Sequence, residues 1–289
     1  MNYKMTAYVL GKMLGVEALV LCIPAAVSLI YGETSDMAAF GITSAVLCVF
    51  FLLFGRKKPE NGRIYGKDGL VIVAAAWILW SVFGALPFYL SREIPSYVDA
   101  LFETVSGFTT TGSTILTDIE ALSYGMNFWR CLTHWIGGMG VLVFVMVVTS
   151  LDDKSSMHLM RAEVPGPEAD KLVPKARETA KLLYAMYLAL TVAEIIFLLA
   201  GGMNLYDSII HSFSTAGTGG FANHNSSVAY YDSAYIDGVI TKVAATIIPR
   251  YALTSSFLQT DFTSFIKRRK YILKLIPNRI IKTVITPSI

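Results

Sequence analysis

The sequence predicts an all-α polytopic membrane protein, and three observations carry that prediction. Of 289 residues, 54% are apolar and only 16% are charged, which is too little polar surface for a soluble chain of this length. Runs of about 20 apolar residues recur, each long enough to cross ~30 Å of hydrocarbon. Between such runs stand two shorter segments, DALFETVSGFTTTGS at 99–113 and DSIIHSFSTAGTGGF at 207–221. Each is an apolar half-length helix that runs into threonine and glycine.

Residues 13–31 and 37–55 form a leading pair of spans joined by the turn GETSD. The first run is long and lacks a small-residue cleavage site, so it reads as a retained span rather than a signal peptide. Glu17 and Pro24 interrupt it; Glu17 reads as an interfacial or satisfied carboxylate rather than an ion ligand. A basic cluster follows (Arg56, Lys57, Lys58, Arg63, Lys67), then a charge-free third span at 69–90 carrying Trp77 and Trp80. Ile94-Pro95-Ser96 breaks the chain and starts a helix, because proline suits a first turn and serine caps one. That helix, 97–106, is about 15 Å long, half a bilayer. Residues 107–113 are the threonine-glycine segment and 114–127 a polar return.

A fourth span at 131–151 contains WIGGMGV, in which Gly137, Gly138 and Gly140 admit close approach of another backbone. A polar loop with PGP at 165–167 occupies 152–181, a fifth span covers 182–203 with Glu194 inside it, and the second short helix begins near Asn204 and Asp207. The chain therefore divides into a leading two-helix unit (1–67), a first repeat (68–151), a cytosolic loop (152–181), an incomplete second repeat (182–237) and an atypical tail (238–289). Cys22, Cys48 and Cys131 fall in or beside apolar runs without CxxC spacing and read as small hydrophobic residues.

Lysine and arginine set the orientation. Lys4, Lys12, the 56–67 cluster and the 154–181 loop belong to the cytosolic side, which places the amino terminus inside. GETSD and both short hairpins then open on the outside of the cytoplasmic membrane.

The hairpins point to ion passage. Irregular backbone at membrane depth is tolerated only beside protein or a water-filled path, since unpaired N–H and C=O groups cost several kcal/mol each. In such a path extended carbonyls replace the hydration shell of an alkali cation. Threonine hydroxyls add oxygens, glycine permits φ > 0, and the negative end of each short helix favours a cation. No carboxylate ring lines either segment, which argues against divalent ions; Glu103 reads as a helix-packing or outer-mouth residue. The copies align without a gap at an offset of 108: Asp99 with Asp207, Ser106 with Ser214, Thr110 with Thr218 and Gly112 with Gly220.

The leading pair, GFTTTGSTI, FWRCLTHWIGGMGVLVF and SFSTAGTGGF together resemble the potassium-uptake subunits of the Trk/Ktr/HKT superfamily, and the leading pair points to its TrkH/TrkG branch. The resemblance covers roughly residues 1–237. It implies span–pore loop–span repeats, two of an expected four, with potassium as substrate and no other cofactor. Carried over residue by residue, it assigns an ion-binding selectivity filter to Thr109, Thr110, Thr111, Gly112 and Ser113, and to Gly217, Thr218, Gly219, Gly220 and Phe221. Implied partners are membrane lipid, a second copy in a homodimer and a cytosolic TrkA-like nucleotide-binding regulatory subunit, with no nucleic acid.

The chain departs from that pattern after about Asp237. Residues 1–237 carry 15 basic and 20 acidic groups, whereas 238–289 carry nine basic groups and one acid, and no glycine follows Gly238. No inner helix of the second repeat is expected there. The tail reads either as a basic lipid anchor around 267–270 or as the product of a frameshift, and the glycine loss and charge swing favour the frameshift. The expectation is a truncated, inactive potassium-uptake subunit, or a fragment that assembles with a full-length homologue. An enzyme built on His134, Glu194, His211 and His224 is disfavoured because their spacing fits no zinc pattern.

Overall fold

The computed structural model describes residues 2–60, 66–140 and 176–252. Every regular element among the described residues is helical. Two compact units are distinguished, Met1–Ala245 and Thr246–Ile289.

Helix α1 (Tyr3–Tyr31) starts ten residues before the predicted span, because the Asn2 side chain accepts a hydrogen bond from the Met5 amide at 3.2 Å and nothing up to Lys12 breaks the turn. It runs unbroken through Pro24 and ends at Gly32, whose φ of 77° lets the cap fold back on Leu29 and Ser28. Glu17 therefore lies about 21 Å into the helix from the rise per residue. It is fully buried, and neither carboxylate oxygen has a hydrogen-bond partner among the described residues. Of the two readings, interfacial or satisfied, the second finds no partner among the described residues. Helix α2 (Thr34–Phe50) continues into a wider turn, Phe51–Gly55, and packs back along α1. Its outer face keeps Ile42, Val46, Val49 and Leu53 exposed at helical spacing, an apolar stripe that hydrocarbon covers.

Helix α3 (Gly66–Gly84) and the short α4 (Leu86–Leu90) make the next crossing. Then come α5 (Tyr97–Phe108), α6 (Tyr124–Met139), α7 (Ala176–Ala200), α8 (Leu205–Ala216) and α9 (Ala234–Ala252). Among the described residues, four helical stretches are long and apolar enough to cross a membrane: Tyr3–Tyr31, Thr34–Gly55, Asp68–Leu90 and Leu182–Ala200. They match four of the five predicted spans. The fifth, 131–151, is described only to Gly140, and its helix starts earlier than predicted because Ser123 caps the Met126 amide. The loop 152–181 lies outside the described residues except for the start of α7. The boundary expected near Asp237 falls inside α9, which runs through it, but α9 is not among the described stretches long and apolar enough to cross a membrane. Failing the length test for a membrane span says nothing against helicity, and a lysine such as Lys242 is a good helix former.

The core joins Trp80, Phe88, Phe108, Met126 and Trp129, and the Trp129 indole donates to the Gly84 carbonyl at 2.9 Å. One end of the bundle gathers the turns. Glu33, between α1 and α2, accepts from the Tyr124 and Gly125 amides at 2.7 and 2.9 Å. Tyr31 stacks on Tyr124 with centroids 4.0 Å apart, and the Tyr206 hydroxyl donates to the Tyr124 carbonyl. The GETSD turn and the starts of α6 and α8 therefore share one end.

Candidate functional site

The two short helices are built alike. Each has 12 residues, with Ser96 capping the Asp99 amide in α5 and Asn204 capping the Asp207 amide in α8. Each ends in the same pair of bonds: Thr110 N–H donates to Gly107 and Thr111 N–H to Ser106, matched by Thr218 to Thr215 and Gly219 to Ser214. This is the Schellman closure, which needs a left-handed residue just past the helix. Threonine occupies that place in both copies, with φ of 54° at Thr110 and 58° at Thr218. Two residues on, Gly112 and Gly220 are left-handed again at 75° and 85°, while Thr111 and Gly219 between them are not. The 108-residue offset thus holds in the backbone as well as in the letters.

The hairpins run down α6 and back. The Phe108 carbonyl packs against Gly137, thirteen residues past the start of α6, about 20 Å along it. Gly217 packs against His134 and Gly138 at similar depth. The first segment then climbs along its own helix: Ser106 Oγ donates to the Ser113 carbonyl at 2.5 Å, and Glu103 accepts from Thr114 Oγ1 at 2.8 Å and the Ile115 amide at 3.1 Å. The second climbs along α6, from Gly219 beside the His134 ring to Ala222, whose carbonyl accepts from Arg130 Nη1 at 3.1 Å. The close approaches at Gly137 and Gly138 meet the predicted role of WIGGMGV, although the partners are the ends of α5 and α8 rather than another span. Gly140, at φ 82°, ends α6.

The ten predicted filter residues fall into one neighbourhood. A Cβ added to Gly112 would collide with the Gly219 carbonyl oxygen, so the two segments touch backbone to backbone. Thr109, Thr111, Ser113, Thr218 and Gly220 are exposed on an open face. Thr109 Oγ1 donates to the Val105 carbonyl at 2.7 Å and lies 2.8 Å from Thr111 Oγ1. Phe221 differs from the rest: its ring is buried, stacked on His134 at 3.8 Å, with the Arg130 guanidinium 3.6 Å over its centroid.

Behind the segments lies a pair the sequence reading left unconnected. Arg130 Nε donates to Glu103 Oε1 at 2.5 Å, both side chains being essentially inaccessible. One charge pair therefore holds α5, the first return, α6 and the second return together. The available signal was a lone arginine in the apolar stretch FWRCLTHW and a lone glutamate in α5, since intramembrane charges look for partners. In the second copy the tie sits elsewhere: Asp207 accepts from Asn223 at 2.5 Å and from the Tyr231 hydroxyl at 2.7 Å, whereas Asp99 is exposed. His134 packs against the second segment, His211 meets the Tyr231 hydroxyl at 3.4 Å, and Glu194 is buried beside Thr215. Among the described residues no three His, Cys, Asp or Glu side chains group as metal ligands.

Residues 37–248 match the family model TrkH, described as a cation transport protein. The chain is 35% identical over 243 residues to the Trk system potassium uptake protein TrkH of Escherichia coli, covering 83% of this chain and 50% of the relative. It is 33% identical to TrkG of the same species, covering 82% of this chain and 49% of the relative. Against the crystal structure of the potassium transporter TrkH from Vibrio parahaemolyticus the TM-score is 0.72 at 29% identity, over 84% of this chain and 49% of that one. The chain spans about half the length of the curated relatives it matches.

Proposed function

The chain belongs to the TrkH family of cation transport proteins, and from that premise we propose that it contributes two filter segments to a potassium pathway. It is a multi-pass membrane protein. The segments are Thr109, Thr110, Thr111, Gly112 and Ser113, with Gly217, Thr218, Gly219, Gly220 and Phe221. The observation that carries the reading is the repeated backbone: both segments alternate left-handed residues at matching positions and meet where Gly112 touches Gly219. Alternation of this kind turns successive carbonyls to one side, the arrangement that replaces water around an alkali cation. The carboxyl ends of α5 and α8 add their negative poles. Phe221 serves through its backbone, its ring being taken up by Arg130 and His134.

The distribution of positive residues supports an amino terminus in the cytosol and hairpins that open outside. A second copy of the chain in a homodimer and a TrkA-like cytosolic regulatory partner are part of the proposal. The test is the thermal unfolding of the purified chain in detergent as potassium or sodium replaces choline. A cation bound only by the folded state raises the midpoint with concentration. Potassium is expected to raise it at concentrations where sodium does not. Equal responses to the two ions would remove the filter assignment.

A second reading is a non-transporting chain that assembles with a longer homologue. Co-purification with that homologue and no rubidium uptake by cells making this chain alone supports it. Uptake by the chain alone rejects it.

A further inference from the structure

We propose that His224 and Asn225 latch the two hairpin returns to each other, and that the latch tightens when His224 takes up a proton. The inference stands on contact geometry and does not rest on potassium as the ligand. Asn225 is spent entirely on the first return. Its Oδ1 accepts from the Ile119 amide at 2.8 Å, its Nδ2 donates to Asp118 Oδ1 at 2.9 Å, and its own amide donates to Glu120 Oε1 at 3.1 Å. Three bonds from one residue zip segments 106 positions apart in sequence.

His224 extends the zipper. Its Nδ1 lies 3.3 Å from Glu120 Oε1 on the first return, and its Nε2 lies 3.6 Å from Asp207 Oδ2 at the start of α8. The ring stacks on Tyr230 at 3.6 Å, which fixes its plane, and its side chain is 18% exposed, within reach of solvent protons. A neutral imidazole has one N–H and can serve one carboxylate, whereas the cation has two and attracts both. The 3.6 Å separation is too long for a good hydrogen bond, so on that side the gain is ionic. Around the ring, Asp118 is engaged by Asn225, while Asp207 faces Nε2 and also accepts from Asn223 and from Tyr231, whose hydroxyl meets His211. The first return is anchored to Glu103 at Thr114 and Ile115, and the second to Arg130 at Ala222. A joint between the returns therefore fixes the spacing of the segments below.

The test is hydrogen exchange read by mass spectrometry on the purified full chain in detergent, at about pH 5.5 and about pH 8. Rates are corrected for intrinsic pH dependence. Peptides spanning 114–123 and 222–232 are expected to open three- to fivefold less often at the lower pH, the order of effect of a partly exposed ion pair. His224→Gln should abolish that difference while leaving the two peptides protected relative to Asn225→Ala, which should open both at either pH. Glu120→Gln, which removes the charge facing Nδ1 and needs no change in either latch residue, should shrink the pH difference without abolishing it, because Asp207 still faces Nε2. A pH difference that survives in His224→Gln, or one missing from the native chain, overturns the proposal. Ion flux is not read, so either result leaves the potassium reading to its own test.

Discussion

Gly112 and Gly220 occupy the same place in two copies of one motif, yet they should not tolerate the same substitution equally. Both have left-handed backbones, so alanine costs each about 1 kcal/mol or more in conformational strain. At Gly220 the added methyl meets nothing within 4 Å, whereas at Gly112 it drives into the Gly219 carbonyl. Gly112→Ala is therefore expected to lower the melting midpoint well beyond Gly220→Ala, and to weaken potassium stabilisation more. Equal losses would mean that the two segments are not in contact. The glycines were legible in the sequence because TTTG and GTGG invite a positive φ. The left-handed threonines were not, since β-branched residues avoid that region and the rule points elsewhere. Thr110 and Thr218 hold it because the Schellman bonds to Gly107 and Ser106, and to Thr215 and Ser214, leave no other closure.

Between elements, the Glu103–Arg130 pair is the main polar joint. Removing one partner of a buried pair leaves an uncompensated charge and typically costs about 3–5 kcal/mol. Glu103→Gln and Arg130→Gln are each expected to lose about that much, read from unfolding in detergent. The double change Glu103→Leu with Arg130→Met should lose clearly less than the two single losses combined, because no lone charge remains. Additive losses would show that the residues act separately. The hairpins as elements were legible: Ser96 caps α5 and Asn204 caps α8 at the predicted starts, and the fold extends α5 only two residues beyond the predicted 106. Their ties were not legible. A carboxylate in α5 does not announce an arginine 27 positions later, and the aligned Asp99 and Asp207 prove to have different surroundings, one exposed and one buried among Asn223, His224 and Tyr231.

For the whole molecule, the turns gathered at one end carry carboxylates close together, and Glu93 feels them. Burial first, and then the nearby Asp36, push its carboxyl above the ordinary range, with the Ser123 backbone opposing. A raised folded-state value means that Glu93 favours folding while protonated and loses that contribution as pH rises through its titration. Glu93→Gln is thus expected to raise the melting midpoint at neutral pH and leave it nearly unchanged at the acid end; an unchanged midpoint at neutral pH would reject the assignment. The crossings were legible because hydropathy over about 20 residues is the least ambiguous signal in a sequence. The depth of Glu17 was not, since it depends on where α1 begins, and a single cap at Asn2 moved that start by ten residues. One consequence follows from Gly137 and Gly138 sitting side by side on α6, the first against the end of α5 and the second against the end of α8. Successive helical positions face directions about 100° apart, so twisting α6 on its axis to relieve one contact presses the other. Such a twist can only trade clearance from one segment to the other, and freeing both at once calls for sliding or withdrawing the rod instead.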